Sequence, residues 1–114
     1  EELNRHEMGK PIVAQRLAWL LATTSNDSVR DGAEALELAE LAAKLTQFRD
    51  ASCLHTLAAA LSENRQFEKA VQVARQAVAV ARQNGQENLA DQISASISGY
   101  QQSQPFRDPR WLPK

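Results

Sequence analysis

The chain has 114 residues, which is enough for one domain of ordinary size and short for two. Its 13 Lys and Arg against 14 Asp and Glu give a formal net charge of −1, so no overall field attracts nucleic acid or an anionic membrane. The single cysteine, Cys53, excludes an internal disulfide but excludes neither the cytoplasm nor the periplasm. The longest apolar run, Leu17 to Ala22, is far shorter than the roughly 20 residues of a membrane span, so we expect no membrane insertion by this segment.

Alanine is the most frequent residue in this sequence, and its excess indicates the fold class. The chain holds 19 Ala, 13 Leu and 11 Gln against only four Gly and four Pro. Ala, Leu and Gln are among the strongest helix formers, so the composition predicts an all-α fold and argues against a sandwich or a barrel. Because the sequence begins at Glu1 without a methionine, we expect it to be a piece of a longer protein.

Apolar residues recur at steps of three and four in five stretches separated by polar breaks, which predicts five helices joined by turns. The predicted helices run from Pro11 to about Thr23, from the Asp31 cap to about Thr46, from Ala51 to about Glu63, from Phe67 to about Gln83 and from about Glu87 to Gln101. The highly charged residues 1–10 are left between coil and one helical turn. Residues 102–114 hold three of the four prolines and are expected to be extended.

Local signals mark the ends of these helices. Pro11 suits the first turn of a helix, where its missing N–H is not needed. Asp31 and Asp50 are candidate N-caps, because a short carboxylate can accept hydrogen bonds from the free N–H groups of the first turn. Asn84 and Gly85 together form a typical helix stop.

The helices repeat in pairs. A shift of 40 residues aligns the first predicted helix with the third, and a shift of 35 aligns the second with the fourth, so five extra residues lie in the first loop. Two helices of this size cannot bury their apolar faces alone, whereas stacked pairs share a continuous core. The aligned small residues are Ala18 with Ala58, Ala35 with Ala70, Ala39 with Ala74, and Ala42 with Ala77.

This pattern resembles the tetratricopeptide repeat (TPR) family, and in particular the C-terminal repeats of larger bacterial members. The resemblance implies antiparallel helix-turn-helix repeats stacked as an α-α superhelix with a C-terminal capping helix. It divides the chain into residues 1–10 as a remnant of a preceding repeat, repeat 1 at 11–47 with an extended inter-helix loop, repeat 2 at 51–83, a capping helix at 87–101 and a Pro-rich tail at 102–114. The signature positions are Leu17, Ala18, Leu21, Ala35, Ala39 and Ala42 in the first unit and Leu54, Leu57, Ala58, Leu61, Phe67, Ala70, Ala74 and Ala77 in the second.

No residue pattern predicts catalysis or a cofactor. His6 and His55 have no His, Cys or carboxylate at a metal-ligand spacing, so we expect no metal site. Glu34, Glu37 and Glu40 share one side of a helix, and we interpret them as a solvated face. The sequence contains no Gly-rich phosphate loop and no nucleophile motif, so we predict that the chain is not an enzyme.

In the TPR family, the first helix of each pair lines a concave groove in which partners bind. Trp19 is then either an aromatic anchor for a partner or a side chain packed between helices, and the sequence leaves both open. The Lys, Asn and Arg set with which chaperone-binding members hold a C-terminal carboxylate is missing. The implied groove residues are Ile12, Gln15, Trp19, Ala22 and Thr23, then Ser52, His55, Ala59, Ser62 and Glu63, then Asn88, Asp91 and Ala95.

The tail carries Phe106, Trp111 and Leu112 in a segment too rich in proline to build its own core. Three outcomes stay open for them: docking on the last helix, binding a partner or a second copy, or disorder. We predict a non-catalytic protein-interaction or scaffold module that binds a protein, a peptide or a partner helix through the groove. The alternative is an intramolecular scaffold or dimerisation domain at the C-terminus of a larger protein, of the kind that follows a membrane-bound glycosyltransferase-like part.

Overall fold

The computed structural model describes residues 2–108, with side chains from residue 11 onward, and over this range the chain forms five α-helices and no strand. The prediction of an all-α fold is therefore confirmed. The last three helices have the bounds expected from the sequence. The helices are α1 (Glu2–Thr23), α2 (Gly32–Leu45), α3 (Ala51–Glu63), α4 (Phe67–Gln83) and α5 (Glu87–Gln101).

Helix α1 is longer than predicted. It begins at Glu2, so Asn4 to Gly9, for which the sequence left a helical turn and coil equally open, are helical and continue into the rest of α1 without a break. Pro11 lies inside the helix and not in its first turn. An internal proline costs about 3 kcal/mol because it removes one N–H and crowds the preceding turn. The Leu, Arg, Glu, Met and Lys residues that precede it are good helix formers, so a proline was an unreliable marker of the helix start here.

Both predicted aspartate caps are confirmed. The side chain of Asp31 accepts a hydrogen bond from the N–H of Glu34 at 3.1 Å. The side chain of Asp50 accepts from the N–H groups of Ser52 and Cys53 at 2.9 and 3.2 Å. Each carboxylate thereby satisfies donors that the first helical turn would otherwise leave free, and the two caps fix where α2 and α3 begin.

Helices α2 to α5 end in the same kind of turn, in which the residue after the cap takes a positive φ. After α3, for example, the N–H of Gln66 donates to the carbonyl of Leu61 at 2.9 Å, and the N–H of Arg65 donates to that of Ser62 at 3.0 Å. This pair of bonds is the Schellman motif, which satisfies the last carbonyls of a helix. The residues that follow the four caps are Gln47 (56°), Arg65 (61°), Gly85 (74°) and Ser103 (60°).

The core is built largely from alanine. Each helix packs against its neighbour in sequence, and α1 also packs against α3. Leu54, Ile93 and Tyr100 are the largest apolar or aromatic side chains that are fully buried. The eight alanines that the repeat pattern places at close helix contacts have no exposed surface: Ala18, Ala35, Ala39, Ala42, Ala58, Ala70, Ala74 and Ala77. Side chains this small let helices pack closely, which is what the repeat pattern predicts.

Candidate functional site

A stretch of the chain's own tail that is neither helix nor strand crosses the C-terminal ends of α1 and α3. We call residues 104–108 the tail segment. The N–H of Phe106 donates to Oγ of Ser62 at 3.2 Å, and the N–H of Asp108 donates to the carbonyl of Thr23 at 3.1 Å. Thr23 is the last residue of α1, and Ser62 is one residue from the end of α3. Part of the predicted groove therefore already holds an extended peptide.

The rings of Trp19, His55 and Phe106 form a cluster between α1, α3 and the tail segment. Their centroids are 4.7 Å apart for Trp19 and His55, 5.3 Å for Trp19 and Phe106, and 5.8 Å for His55 and Phe106. Tilted and edge-on arrangements at these distances are favourable for aromatic side chains. In addition, Nε1 of Trp19 donates to Oδ2 of Asp108 at 2.7 Å. Trp19 thus packs between helices and also anchors the tail segment, whereas its role as an anchor for a partner stays a prediction.

Glu63 connects the tail segment to the long loop at residues 24–31. Its Oε1 lies 2.8 Å from Nη1 of Arg107, and its Oε2 accepts from Nε of Arg30 at 3.2 Å. Arg30 also donates to the carbonyl of Thr24 at 2.9 Å and pairs with Asp27. The Glu63 side chain is only 17% exposed, so solvent screens these ion pairs less than it would at an open surface.

Three small residues expected to line an open groove are fully buried: Thr23, Ala59 and Ser62. The Oγ of Ser62 donates to the carbonyl of Ala59 at 2.7 Å, which leaves its lone pairs to accept the N–H of Phe106. The hydroxyl of Thr23 donates to the carbonyl of Trp19 at 2.6 Å. At this end of the predicted groove, Thr23 and Ser62 contact the tail segment of the chain itself, and the binding of a partner there stays a prediction.

The other predicted groove residues are spread over two regions. Gln15 is half-buried and donates from Nε2 to Oγ1 of Thr56 at 2.8 Å, which joins α1 to α3. Ser52 is also half-buried, and Ala22 is fully buried. On α5, Asp91 lies 3.9 Å from Nη2 of Arg82 on α4. The structure brings Trp19, Thr23, His55, Ser62 and Glu63 together around the tail segment, and leaves Ile12, Asn88, Asp91 and Ala95 exposed and apart from it.

The imidazole of His55 and the thiol of Cys53 are the two groups on α3 that could take part in acid–base or nucleophilic chemistry. Both are held in their neutral forms. Burial lowers the pKa of His55 to about 4, and the nearby carboxylate of Asp108 only partly opposes this. The Nδ1 atom of His55 has no hydrogen-bond partner among residues 11–108. Burial, followed by the charge of Asp50, raises the pKa of the Cys53 thiol above its ordinary value. The arrangement therefore provides an aromatic surface and neutral polar atoms at neutral pH and does not activate a nucleophile.

Among the side chains of residues 11–108, no three His, Cys, Asp or Glu are grouped so that they could hold a metal ion. Over residues 2–108, every helix is too short or too polar to cross a bilayer. No protein-family model, curated protein or solved structure matches this chain.

The outcome for the three tail residues is mixed. Phe106 docks, with ring contacts to Trp19 of α1 and His55 of α3. Trp111 and Leu112 lie outside the described residues. Three residues that hold the tail segment and the loop in place were not among the predicted site residues: Arg30, Arg107 and Asp108. A short-range sequence pattern carries no signal for them, because each contacts a residue at least 33 positions away.

Proposed function

We propose that the chain is a non-catalytic protein-interaction module that binds an extended peptide in the predicted groove, whose inner face runs along α1 and α3 and continues onto α5. The observation that supports this most directly is the tail segment, which is held there by two backbone N–H groups, an aromatic cluster and an ion pair. A surface that binds one extended segment through backbone donors has the features needed to bind another. Repeated pairs of helices with buried alanines agree with a TPR-like arrangement, which we propose as the architecture of this face.

Photo-crosslinking tests this proposal on the full chain. A photoreactive amino acid is placed at Gln15 on α1 or at Asn88 on α5, both predicted to line the groove, and at Gln76 on the exposed side of α4 as the matched control. We expect a discrete protein adduct from the first two positions and none from Gln76. Equal adducts from all three positions, or an adduct from Gln76 alone, would argue against binding at the inner face.

The captured protein is then purified and tested for direct binding. Ala95→Arg places a long cation in the predicted groove, and Ala79→Arg places the same side chain on α4; both alanines are exposed. We expect the first variant to weaken binding by about tenfold or more, which corresponds to about 1.4 kcal/mol, and the second to leave it unchanged. Equal effects of the two variants would contradict a groove-specific interaction.

A second candidate function is dimerisation or docking on another domain, and one observation favours it. Ile12, Val13 and Leu17 of α1 are 56%, 67% and 42% exposed, and Leu41 of α2 is 41% exposed. Exposed apolar side chains in a group are typical of protein contacts. Sedimentation of the wild type and of Val13→Asp over a range of concentrations tests this candidate. A dimer that Val13→Asp abolishes supports it, and a monomeric wild type excludes self-association.

A further inference from the structure

The tail segment is recognised through three consecutive side chains, each by a different kind of chemical group. Phe106 packs on the rings of Trp19 and His55. Arg107 pairs with Glu63 at 2.8 Å. The carboxylate of Asp108 accepts from the indole of Trp19 at 2.7 Å. An aromatic, a basic and an acidic residue in this order therefore meet a ring surface, a carboxylate and an N–H donor in matching order.

The backbone contacts fix the direction in which a segment lies in this site. The N–H groups of Phe106 and Asp108, two residues apart, donate to α3 and to α1 respectively. In an extended chain, alternate N–H groups point to the same side, so the two donors reach both helices at once. A segment that ran the other way would present its aromatic and acidic residues to the wrong partners.

The tail segment leaves some groups of the site without full contacts, so a different segment could bind there more tightly. Phe106 remains half-exposed within the ring cluster. His55 is 9% exposed, and its Nδ1 finds no partner among residues 11–108. A buried polar atom without a hydrogen bond costs about 1–3 kcal/mol, which an occupant that donates to it would recover.

We propose that the site formed by Trp19, Thr23, His55, Ser62 and Glu63 recognises an extended segment of a partner protein with the order aromatic–arginine–aspartate, and that the chain's own Phe106 to Asp108 occupies it until that partner displaces them. This inference rests on the proposed function and names the chemistry of the partner. The tail is tethered to α5 by a few residues, which gives it an effective concentration of about millimolar. Its occupancy in cis therefore needs only weak contacts, and a partner segment with additional contacts can compete.

The indole N–H signal of Trp19 in a proton–nitrogen NMR spectrum reports occupancy directly, because this group donates to Asp108. In the full chain, Phe106→Ala with Arg107→Ala weakens the resident segment. We expect the Trp19 signal to move in this variant and to return toward its wild-type position when the amidated peptide Gln-Ser-Gln-Pro-Phe-Arg-Asp is added. The wild type, whose site is occupied, should respond at least about tenfold more weakly to the same peptide.

Two control peptides test the recognition order without any further change in the protein. One carries Asp-Arg-Phe in place of Phe-Arg-Asp, and the other carries Phe-Glu-Asp, with Glu in place of Arg. Neither should restore the Trp19 signal of the tail variant. Adding Glu63→Arg to that variant should abolish the response to the original peptide and create one to the Glu peptide.

The proposal is overturned if the original peptide leaves the Trp19 signal of the tail variant unchanged, or if the reversed peptide moves it equally. It is also overturned if the wild type forms a concentration-dependent dimer that the tail variant lacks, because the occupant in trans would then be the tail of a second copy. The photo-crosslinking experiment at Gln15 and Asn88 does not involve these peptides. A partner captured there while the peptides fail would retain the proposed function and remove only this recognition order.

Discussion

Trp19 donates its indole N–H to the carboxylate of Asp108 at 2.7 Å, across 89 positions of sequence. Asp108 is only 5% exposed, so this hydrogen bond places a buried carboxylate against the first helix. Hydrogen bonds to charged groups contribute about 1.5–3 kcal/mol, more than bonds between neutral groups. The contact therefore links the position of the tail segment to the stability of the fold.

A double-mutant cycle measures this link. Trp19→Phe keeps an aromatic ring in the cluster but removes the donor, and Asp108→Ala removes the acceptor. We expect the two changes to be non-additive, with a coupling free energy of about 1–3 kcal/mol in urea unfolding followed by circular dichroism. Trp111→Phe serves as the control for loss of a tryptophan. Additive effects of the two changes would show that the hydrogen bond contributes nothing to stability.

Acid should destabilise the fold through His55. Burial lowers the pKa of this side chain from 6.5 to about 4, so between these pH values the unfolded chain binds a proton that the folded chain does not. The free energy of unfolding therefore holds its full value above pH 6.5 and falls as the pH is lowered toward 4. Over this window the loss is on the order of 3 kcal/mol.

The comparison that isolates this effect is the unfolding free energy of the wild type and of His55→Phe at several pH values. His55→Phe keeps a ring in the cluster and removes the titration, so its stability should change less between pH 6.5 and 4. Carboxylates titrate in both proteins and cancel in the difference. Parallel pH profiles for the wild type and His55→Phe would refute the assignment.

Glu63→Gln should loosen two segments at once. The carboxylate of Glu63 pairs with Arg30 of the long loop and with Arg107 of the tail segment, and an amide keeps the shape but loses the charge. We expect faster amide hydrogen exchange both at residues 24–31 and at residues 104–108, with a stability loss of about 1–2 kcal/mol. Glu68→Gln, at an exposed position of α4, is the matched control. Faster exchange in only one of the two segments would contradict a shared role of Glu63.

Two glycine-to-alanine substitutions should have opposite signs. A Cβ on Gly32 would lie 2.9 Å from Cγ of Glu63, so Glu63 would have to move away from its ion pairs, at a cost of about 1 kcal/mol or more. A Cβ on Gly99 of α5 would meet nothing nearer than the carbonyl of Gln104 at 4.0 Å. Alanine there should raise stability by about 0.5–1 kcal/mol, because glycine loses more backbone freedom in a helix. Thermal unfolding of both variants tests the pair, and a gain from Gly32→Ala would contradict the close contact.

The helices could be predicted from the sequence because their signals are local. Asp31 and Asp50 act within one helical turn, and the alanine spacing repeats every three or four residues. The docking of the tail segment could not be predicted, since Arg107 and Asp108 find their partners on other helices and nothing in their own neighbourhood indicates which ones. For the same reason, the sequence does not indicate that Thr23 and Ser62 of the predicted groove contact the chain's own tail.

The turns show where a local signal is itself incomplete. Gly85 marks its turn because glycine accepts a positive φ without strain. Arg65 adopts nearly the same conformation, with φ of 61° against 74° for Gly85, but an arginine does not indicate it. The hydrogen bonds of the two turns are equivalent, since Gln66 bonds to Leu61 and Gln86 to Ala81. Arg65 therefore adopts an unfavourable backbone conformation because the turn from α3 into α4 requires a positive φ at this position.

That equivalence yields a reciprocal prediction. Arg65→Gly should raise the unfolding free energy by about 1 kcal/mol, because a side-chain-bearing residue pays that much to adopt a positive φ. Gly85→Ala should lower it by a similar amount, and it does so through the backbone alone, since a Cβ there meets no atom within 4 Å. Urea unfolding of both variants checks the signs, with Arg65→Ala as the control for loss of the guanidinium. If Arg65→Ala stabilises as much as Arg65→Gly, the strain does not lie in the backbone.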